Sequence, residues 1–174
     1  GLSTYMPDRD IVLELAESIE AVDDVTYKVK VRQGVTFHDG TPLTAEDVAF
    51  SINRLVKEGA MAGRTSQRRS LLGPTREAIA VDNDTVLIKL DHPWPLFERF
   101  IPLQMIVPHS VGDEYIDHPI GTGPFVFEEW VRGSHFTVAR NENYWGKKPQ
   151  LDRVVFRIIE DASARVAALR AGEV

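Results

Sequence analysis

The sequence predicts an α+β (mixed α/β) fold in which short helices alternate with pairs of strands. Between Val25 and Val31 apolar and polar residues alternate, which is the period of a half-buried strand. Residues 45–57 instead repeat their apolar positions at helical spacing. Residues 125–131 and 135–139 flank an Arg-Gly turn, as the two arms of a β-hairpin do. Sheet pairs with interspersed helices are typical of this fold class.

The same periodicities assign the remaining elements in chain order. Helical spacing predicts helices over residues 10–21, 96–100, 110–115 and 162–170, the last of them amphipathic. Strand patterns predict strands over residues 25–32, 78–81 and 85–90, and a buried strand over 154–159. Glycine and aspartate pairs predict turns at Gln33-Gly34, Asp39-Gly40 and Asn83-Asp84. Residues 59–74 are polar, small and basic, which indicates a mobile loop or a broken helix.

The helix over residues 45–57 has a recognisable start. Thr44 suits the N-cap position, and Glu46 and Asp47 place negative charge in the first turn, where the helix dipole favours it. Asp47 stands where a capping box usually carries Glu or Gln. Val48 and Ile52 follow one turn apart, so we expect them to pack into the core.

The composition excludes several classes of function. A chain of 174 residues with 43% hydrophobic and 26% charged residues is an ordinary soluble composition that can bury a core. Its net charge of −6 makes a nucleic acid an unexpected partner. It has no cysteine, so disulfides, thiolate metal sites and a cysteine nucleophile are excluded. The chain opens without methionine and stops in a helix-like segment, so we expect a piece of a longer protein.

His38 and Asp39 are the only motif that suggests catalysis. A general-base histidine needs a carboxylate at one ring nitrogen and a nucleophile or substrate at the other. Adjacent residues rarely meet this need, and no G-x-S-x-G elbow accompanies the pair. The residues favour a turn in which Asp39 accepts from nearby N–H groups and Gly40 takes positive φ. A hydrolase that uses the pair with a hydroxyl such as Thr41 stays open as the alternative.

The other polar motifs give weaker indications. The remaining histidines lack the spacing of metal ligands, so we expect no metal site and no cofactor. The segment RTSQRR, residues 64–69, has no interleaved aromatics, which favours a solvated loop over contact with a phosphate or an acidic partner. Residues 121–124, GTGP, precede a strand rather than a helix, so they are not a phosphate loop. They predict a sharp backbone path that can also present peptide N–H groups to a ligand.

An ordered string of motifs resembles a known family. The stretches LAESIEAVDDVTYKVKVRQGVTFHDGTPLTAEDVAFSINRL, DNDTVLIKLDHPWPLF, IVP and IGTGPFVFEEWVRGSHFTVARNENYWGKKPQLDRVVFRIIEDASARVAALRAGEV are similar, in this order, to the family 5 extracellular solute-binding proteins. These are the peptide- and nickel-binding receptors of ABC importers. Each motif alone is a weak signal, but together they cover residues 15–174 and are specific.

The resemblance implies a particular fold and the part of that fold to which the chain corresponds. It implies that residues 18–22 form a strand, rather than the end of a helix, and that this strand pairs with residues 26–32 across Asp23-Asp24. The chain becomes a truncated piece of the first lobe of a type II periplasmic-binding-protein-like fold, mainly the small peripheral subdomain. Residues 15–120 correspond to this subdomain, and residues 121–174 to strands and a helix of the first lobe.

The resemblance also implies a function. The protein would be the substrate-binding component of an ABC importer, with a peptide or another small solute and the permease subunits as partners. It would work at the periplasmic or extracellular face of the cytoplasmic membrane, where a lipid anchor could hold the full-length protein. It would not be an enzyme, and the truncated piece would bind little ligand alone. A structural or interaction module is a further alternative.

Motif positions suggest which residues face the ligand. In relatives, the segment before IVP and the GTGP turn lie toward the cleft between the lobes, so the resemblance implies ligand contacts for Gln104, Met105, Gly121 and Thr122. Nickel-binding relatives carry a basic residue near the position of Gln104. Its absence here argues against a chelated anionic metal complex as the solute.

Overall fold

The computed structural model describes residues 1–8, 10–112 and 117–173. These residues form two compact units, 1–122 and 123–174. The first unit contains strands β1 (Ser3–Tyr5), β2 (Ile11–Leu13), β3 (Ala16–Asp23), β4 (Thr26–Val31), β5 (Thr75–Ala80) and β6 (Thr85–Leu90), and helices α1 (Ala45–Val56) and α2 (Phe97–Phe100). It also has three 3₁₀ turns, at Arg69–Leu72, Ile101–Leu103 and His109–Val111. The second unit contains β7 (Phe125–Val131), β8 (His135–Arg140), β9 (Arg153–Arg157) and α3 (Ala162–Ala171).

An antiparallel sheet in the order β3-β4-β6-β5 is the centre of the first unit. Val29 on β4 pairs with Ile19 of β3 on one side and with Val86 of β6 on the other. Val29, Val31 and Val86 are fully buried. The alternation read from the sequence therefore separates the core face of this sheet from its outer face. The short β1-β2 ladder forms a separate sheet.

Helix α1 packs on this sheet through its apolar stripe. Val48 and Ile52 are fully buried and Val56 is 3% exposed, as the helical spacing predicts. Thr44 precedes the helix with extended backbone angles, so it is the N-cap that the sequence indicates. The carboxylate of Asp47 accepts from the backbone N–H of Thr44 at 2.8 Å, which is the acidic half of a capping box.

Three polar side chains of α1 bind the backbone of neighbouring segments. The Ser51 hydroxyl donates to the carbonyl of Val107 at 3.1 Å and accepts from its N–H at 2.9 Å. The Asn53 amide forms the same two-way pair with Ala78 of β5, at 2.8 and 2.9 Å. The carboxylate of Asp47 accepts from the backbone N–H of His109 at 2.9 Å. The helix therefore fixes the positions of β5 and of residues 107–109 by hydrogen bonds as well as by packing.

Asp47 is a buried carboxylate with four hydrogen bonds. Besides the two backbone donors, it accepts from the Thr44 hydroxyl and from Nδ1 of His109, each at 2.8 Å. Burial raises the pKa of Asp47, but the hydrogen bonds from His109 and Thr44 together outweigh it and hold that pKa below its ordinary value. The same bond to Asp47 raises the pKa of His109.

The second unit is a three-stranded antiparallel sheet, β7-β8-β9, with a helix after it. Phe127, Phe136 and Phe156 lie side by side across the three strands as tilted pairs, with ring centroids 5.5 and 5.9 Å apart. The prediction of a buried strand is wrong within this chain, because Phe156 and Val155 are more than half exposed. The closing helix exists, but its apolar residues pack little, and Leu169 is 67% exposed.

The predicted helix over residues 10–21 is wrong, because β2 and β3 occupy this stretch. The pairing of β3 with β4 has a register shift between Ala16 and Ser18. Ile11 and Val12 lie on β2 and Ile19 lies on β3, so apolar residues of two separate strands imitate the spacing of a helix. The hairpin across Asp23-Asp24 that the family resemblance implies is present. Backbone pairing therefore overrides the local pattern in this part of the chain.

The other assignments hold with small changes of boundary. β5 begins at Thr75, three residues before the predicted strand, and residues 59–74 contain turns and the first 3₁₀ turn. The predicted helix over 110–115 is a 3₁₀ turn, His109–Val111, as far as it is described, and residues 113–116 lie outside the described part. Within the described ranges, no helix combines the length and the hydropathy that crossing a membrane requires.

We predict that Asp47→Asn destabilises the protein by about 2–4 kcal/mol, because an amide places N–H groups against donors and removes a buried charge from its hydrogen bonds. The free energy of unfolding, measured by urea denaturation, checks this. The exposed neighbour Glu46 offers the matched control, since Glu46→Gln makes the same charge change in the same helical turn. Equal effects of the two substitutions would contradict the role given to Asp47.

We predict that His109→Ala changes how stability depends on pH. The raised pKa of His109 means that its protonated form contributes stability fully below its ordinary pKa of 6.5, and that this contribution is lost as pH rises through the raised value. The lowered pKa of Asp47 means that its own contribution is fully present above its ordinary pKa of 3.8, and that this contribution is lost only as pH falls through the lowered value. The cost of His109→Ala is therefore largest near pH 5–6 and smaller at pH 8–9.

Urea unfolding of wild type and variant across this pH range measures the difference. The exposed His92 is the control, because His92→Ala removes a histidine that has no described bond to a carboxylate. A cost of His109→Ala that is constant with pH would show that the ion pair adds nothing to stability.

Candidate functional site

His38 and Asp39 form a turn. The Asp39 carboxylate accepts from the Thr41 hydroxyl at 2.7 Å and from the Thr41 N–H at 3.0 Å, and these bonds lower its pKa. Gly40 has a φ of 86°, which a glycine adopts at no steric cost. The Thr41 hydroxyl that a hydrolase would need as nucleophile is thus engaged with the carboxylate rather than with an imidazole. The turn is the arrangement that the sequence favours.

His38 connects this turn to the GTGP segment. Its backbone N–H donates to the carbonyl of Gly121 at 2.8 Å, and the Gly121 N–H donates to its Nδ1 at 3.2 Å. An Nδ1 that accepts a hydrogen bond places any ring proton on Nε2. The imidazole therefore serves as a backbone clamp between residues 83 positions apart. No group of three or more potential metal ligands occurs among the described residues.

A first cavity, which we call the glutamine cavity, has a volume of about 460 Å³ in the first unit. Its wall consists of Gly1, Ser3, Thr4 and Glu14 from the β1-β2 region, Arg68 and Leu71 from the loop before β5, and residues 102–105. Gln104 is 1% exposed, and its Nε2 donates to the carbonyl of Phe100 at 3.2 Å. Its other amide atom, Oε1, has no hydrogen-bond partner, and neither has the buried hydroxyl of Ser3. Two unsatisfied polar atoms therefore belong to residues of one wall, which is unusual for a protein interior.

A second cavity, which we call the arginine cavity, has a volume of about 510 Å³. Helix α1 contributes Ser51, Arg54 and Leu55, the loop before β5 contributes Met61 and residues 64–68, and Met105 and Val107 complete the wall. Arg68 and Met105 line both cavities. The two cavities are therefore neighbours, and a ligand in one lies within reach of the residues of the other.

The structure places the four sequence-predicted ligand residues in two groups. Gln104 and Met105 lie together in the wall of the glutamine cavity, where Met105 is 67% exposed. Gly121 and Thr122 line neither cavity. Both backbone polar groups of Gly121 bond His38, and Thr122 is buried.

Ser3, Arg64 and Arg68 also stand in these walls, although the sequence does not predict them as ligand contacts. Ser3 carries no signal, since a lone serine in a strand is ordinary. Arg64 and Arg68 belong to the segment RTSQRR, where a solvated loop was expected. They are exposed as expected, yet the loop turns them into the wall of a cavity. The density of arginines in an acidic chain is the signal that could have identified them.

The chain matches a family model and several known proteins. Residues 10–174 match the model described as bacterial extracellular solute-binding proteins, family 5 Middle. The chain is 33% identical to the oligopeptide-binding protein AppA of Bacillus subtilis, over 95% of its own length and 32% of that protein. The chain thus spans about a third of the length of the curated relatives it matches.

The chain is also similar, over nearly its whole length, to proteins of solved structure. The structure of AppA from Bacillus subtilis in complex with a nonapeptide matches 99% of the chain with a TM-score of 0.88 at 29% identity. The structure of AgaA from A. tumefaciens in complex with agropinic acid matches 100% of it, also with a TM-score of 0.88, at 32% identity. In both cases about 36% of the solved chain is covered. These proteins are type II periplasmic binding proteins, so the fold class predicted from the sequence is confirmed.

Proposed function

Because the chain belongs to the bacterial extracellular solute-binding proteins of family 5, we propose that its protein captures a peptide or a related small solute outside the cytoplasmic membrane. The protein then delivers this solute to the permease subunits of an ABC importer. The observation that carries the proposal is the likeness of the whole chain to a receptor solved with a bound nonapeptide. The extracellular location follows the family, whose members work outside the cytoplasm.

The proposed mechanism is capture by closure. Two lobes of such a receptor close around the solute by a hinge movement, and the solute favours the closed state by its higher affinity for it. This chain supplies a wall of the first lobe, since it matches about a third of its relatives. The apolar side chains that β9 and α3 expose, such as Phe156 and Leu169, are then covered by the rest of the protein. This assignment is favoured over a free-standing interaction module.

We propose that Gln104 and Met105 contact the solute, together with Ser3. Gln104 Oε1 accepts hydrogen bonds and the Ser3 hydroxyl can donate or accept, so both suit the N–H and C=O groups of a peptide. A buried acceptor without a partner costs free energy in the empty protein, and the solute would recover it. We propose Gly121 and Thr122 as further residues of the cleft. Gly121 would let the solute approach the backbone closely but would not bond to it, because its N–H and C=O already bond His38.

Binding without catalysis fits the His38-Asp39 turn. The imidazole of His38 binds Gly121, and the carboxylate of Asp39 binds the Thr41 hydroxyl. The hydroxyl and the imidazole are therefore not paired as nucleophile and base. The hydrolase alternative would require the turn to open. We therefore propose that the protein releases its solute unchanged.

We predict that Gln104→Met in the full-length protein weakens binding of the tightest ligand in a peptide panel at least tenfold, because the acceptor at Oε1 is lost. Stability stays within about 1 kcal/mol of wild type, since the substitution keeps the volume and removes an unsatisfied atom. Isothermal titration calorimetry measures the affinity, and thermal unfolding measures the stability. The exposed Gln150 gives the control, because Gln150→Met makes the same side-chain change at a position far from Gln104 in the sequence. Unchanged affinity in Gln104→Met would remove Gln104 from the proposed contacts.

We predict that His38→Ala leaves peptide affinity within about threefold of wild type but lowers the free energy of unfolding by about 1–2 kcal/mol, because the Gly121 N–H loses its acceptor. Mass spectrometry of the bound peptide would find it intact with both proteins. Cleavage by wild type that disappears in His38→Ala would instead establish the hydrolase.

A further inference from the structure

The arginine cavity is positively charged on one side. Arg64, Arg68 and the buried Arg54 line it, and none of its described lining residues is acidic. The chain as a whole carries a net charge of −6, so the exposed Arg64 and Arg68 at one cavity are a local excess of positive charge. Guanidinium groups keep their charge at every physiological pH. A cavity with this wall attracts an anion and repels a cation.

Arg64 and Arg68 retain donors for a ligand. Arg68 uses one nitrogen, Nη1, on the carbonyl of Leu103 at 3.3 Å. Neither side chain forms an ion pair with any acidic residue in the described ranges. A guanidinium offers five N–H groups in a planar fork, so most of these donors point to solvent or to the cavity.

Arg69, in the same segment, has a structural role, in contrast to Arg64 and Arg68. Its Nε donates to the carbonyl of Val56 at 2.8 Å, where it binds the end of α1. Its Nη1 forms an ion pair with Glu58 at 3.2 Å. The hydrogen-bond donors of Arg69 are therefore engaged within the protein. Its neighbour Arg68, which lines both cavities, keeps donors that a ligand can use.

We infer that the solute carries an acidic group, which Arg64 and Arg68 bind in the arginine cavity. This inference rests on the proposed function and adds the class of solute: a peptide with an aspartate or glutamate side chain, or another carboxylate-bearing small molecule. A carboxylate matches the guanidinium fork in a bidentate geometry. Because Arg68 also faces the glutamine cavity, the acidic group lies beside the part of the solute that contacts Gln104.

The test compares two peptide series that differ only in glutamate or glutamine at one position. Calorimetry with the full-length protein is expected to give at least tenfold tighter binding for the glutamate series, with a preference that falls as salt is added. Arg64→Gln combined with Arg68→Gln is expected to abolish this preference, so that the glutamate series binds no more tightly than the glutamine series. Both arginines are exposed, so the double variant is expected to fold.

Arg76→Gln is the matched control, because Arg76 is an exposed arginine of the same unit that lines neither cavity. It is expected to keep the preference for glutamate. Equal affinity of wild type for both series, or a preference that survives in the double variant, would overturn the inference and leave the proposed function intact. Failure of every peptide to bind wild type would contradict the proposed function itself, and the inference with it.

Discussion

The buried carboxylate of Asp47 is the interaction on which the rest of the first unit depends. A buried charge is costly unless several donors satisfy it, and Asp47 has four, two from Thr44 and two from His109. One residue thus starts helix α1 and ties it to a segment that is 62 positions away in sequence. Ser51 repeats the connection one turn later, at Val107. Gln104 and Met105 lie just before this segment, so these bonds help to hold the part of the chain that they contribute to the cavity walls.

A second clamp of the same kind explains the motif that looks most like catalysis. His38 bonds Gly121 through its backbone and its ring, and Asp39 closes the turn beside it. Histidine, aspartate and glycine are required here for a tight turn and a fixed backbone path. The motifs FHDGTP and GTGP are therefore linked by one structural contact, the hydrogen bonds between His38 and Gly121. The two cavities of the first unit are lined by other residues, none of which belongs to this motif.

The sequence predicts the elements that local rules control. The N-cap at Thr44, the apolar stripe of α1, the alternation through β4 and the hairpin of β7 and β8 all follow from nearest-neighbour preferences, and the structure has them. The helix predicted over residues 10–21 is wrong because apolar residues on two short strands, β2 and β3, together have the spacing of a helix. The burial predicted for residues 154–159 is wrong because an apolar run predicts burial from its composition alone, whereas Val155 and Phe156 are more than half exposed in this chain.

The candidate site could be predicted only in part, because a cavity wall is assembled from distant segments. The family resemblance led to Gln104 and Met105, whereas Ser3, Arg64 and Arg68 join them only through the fold. We propose that this chain forms one wall of a solute site and that binding requires the remainder of the protein. Titration of the same peptide panel into the full-length protein and into the 174-residue chain measures this requirement. We expect micromolar or tighter binding by the full-length protein and no measurable binding by the chain, and equal affinity of the two would contradict the requirement.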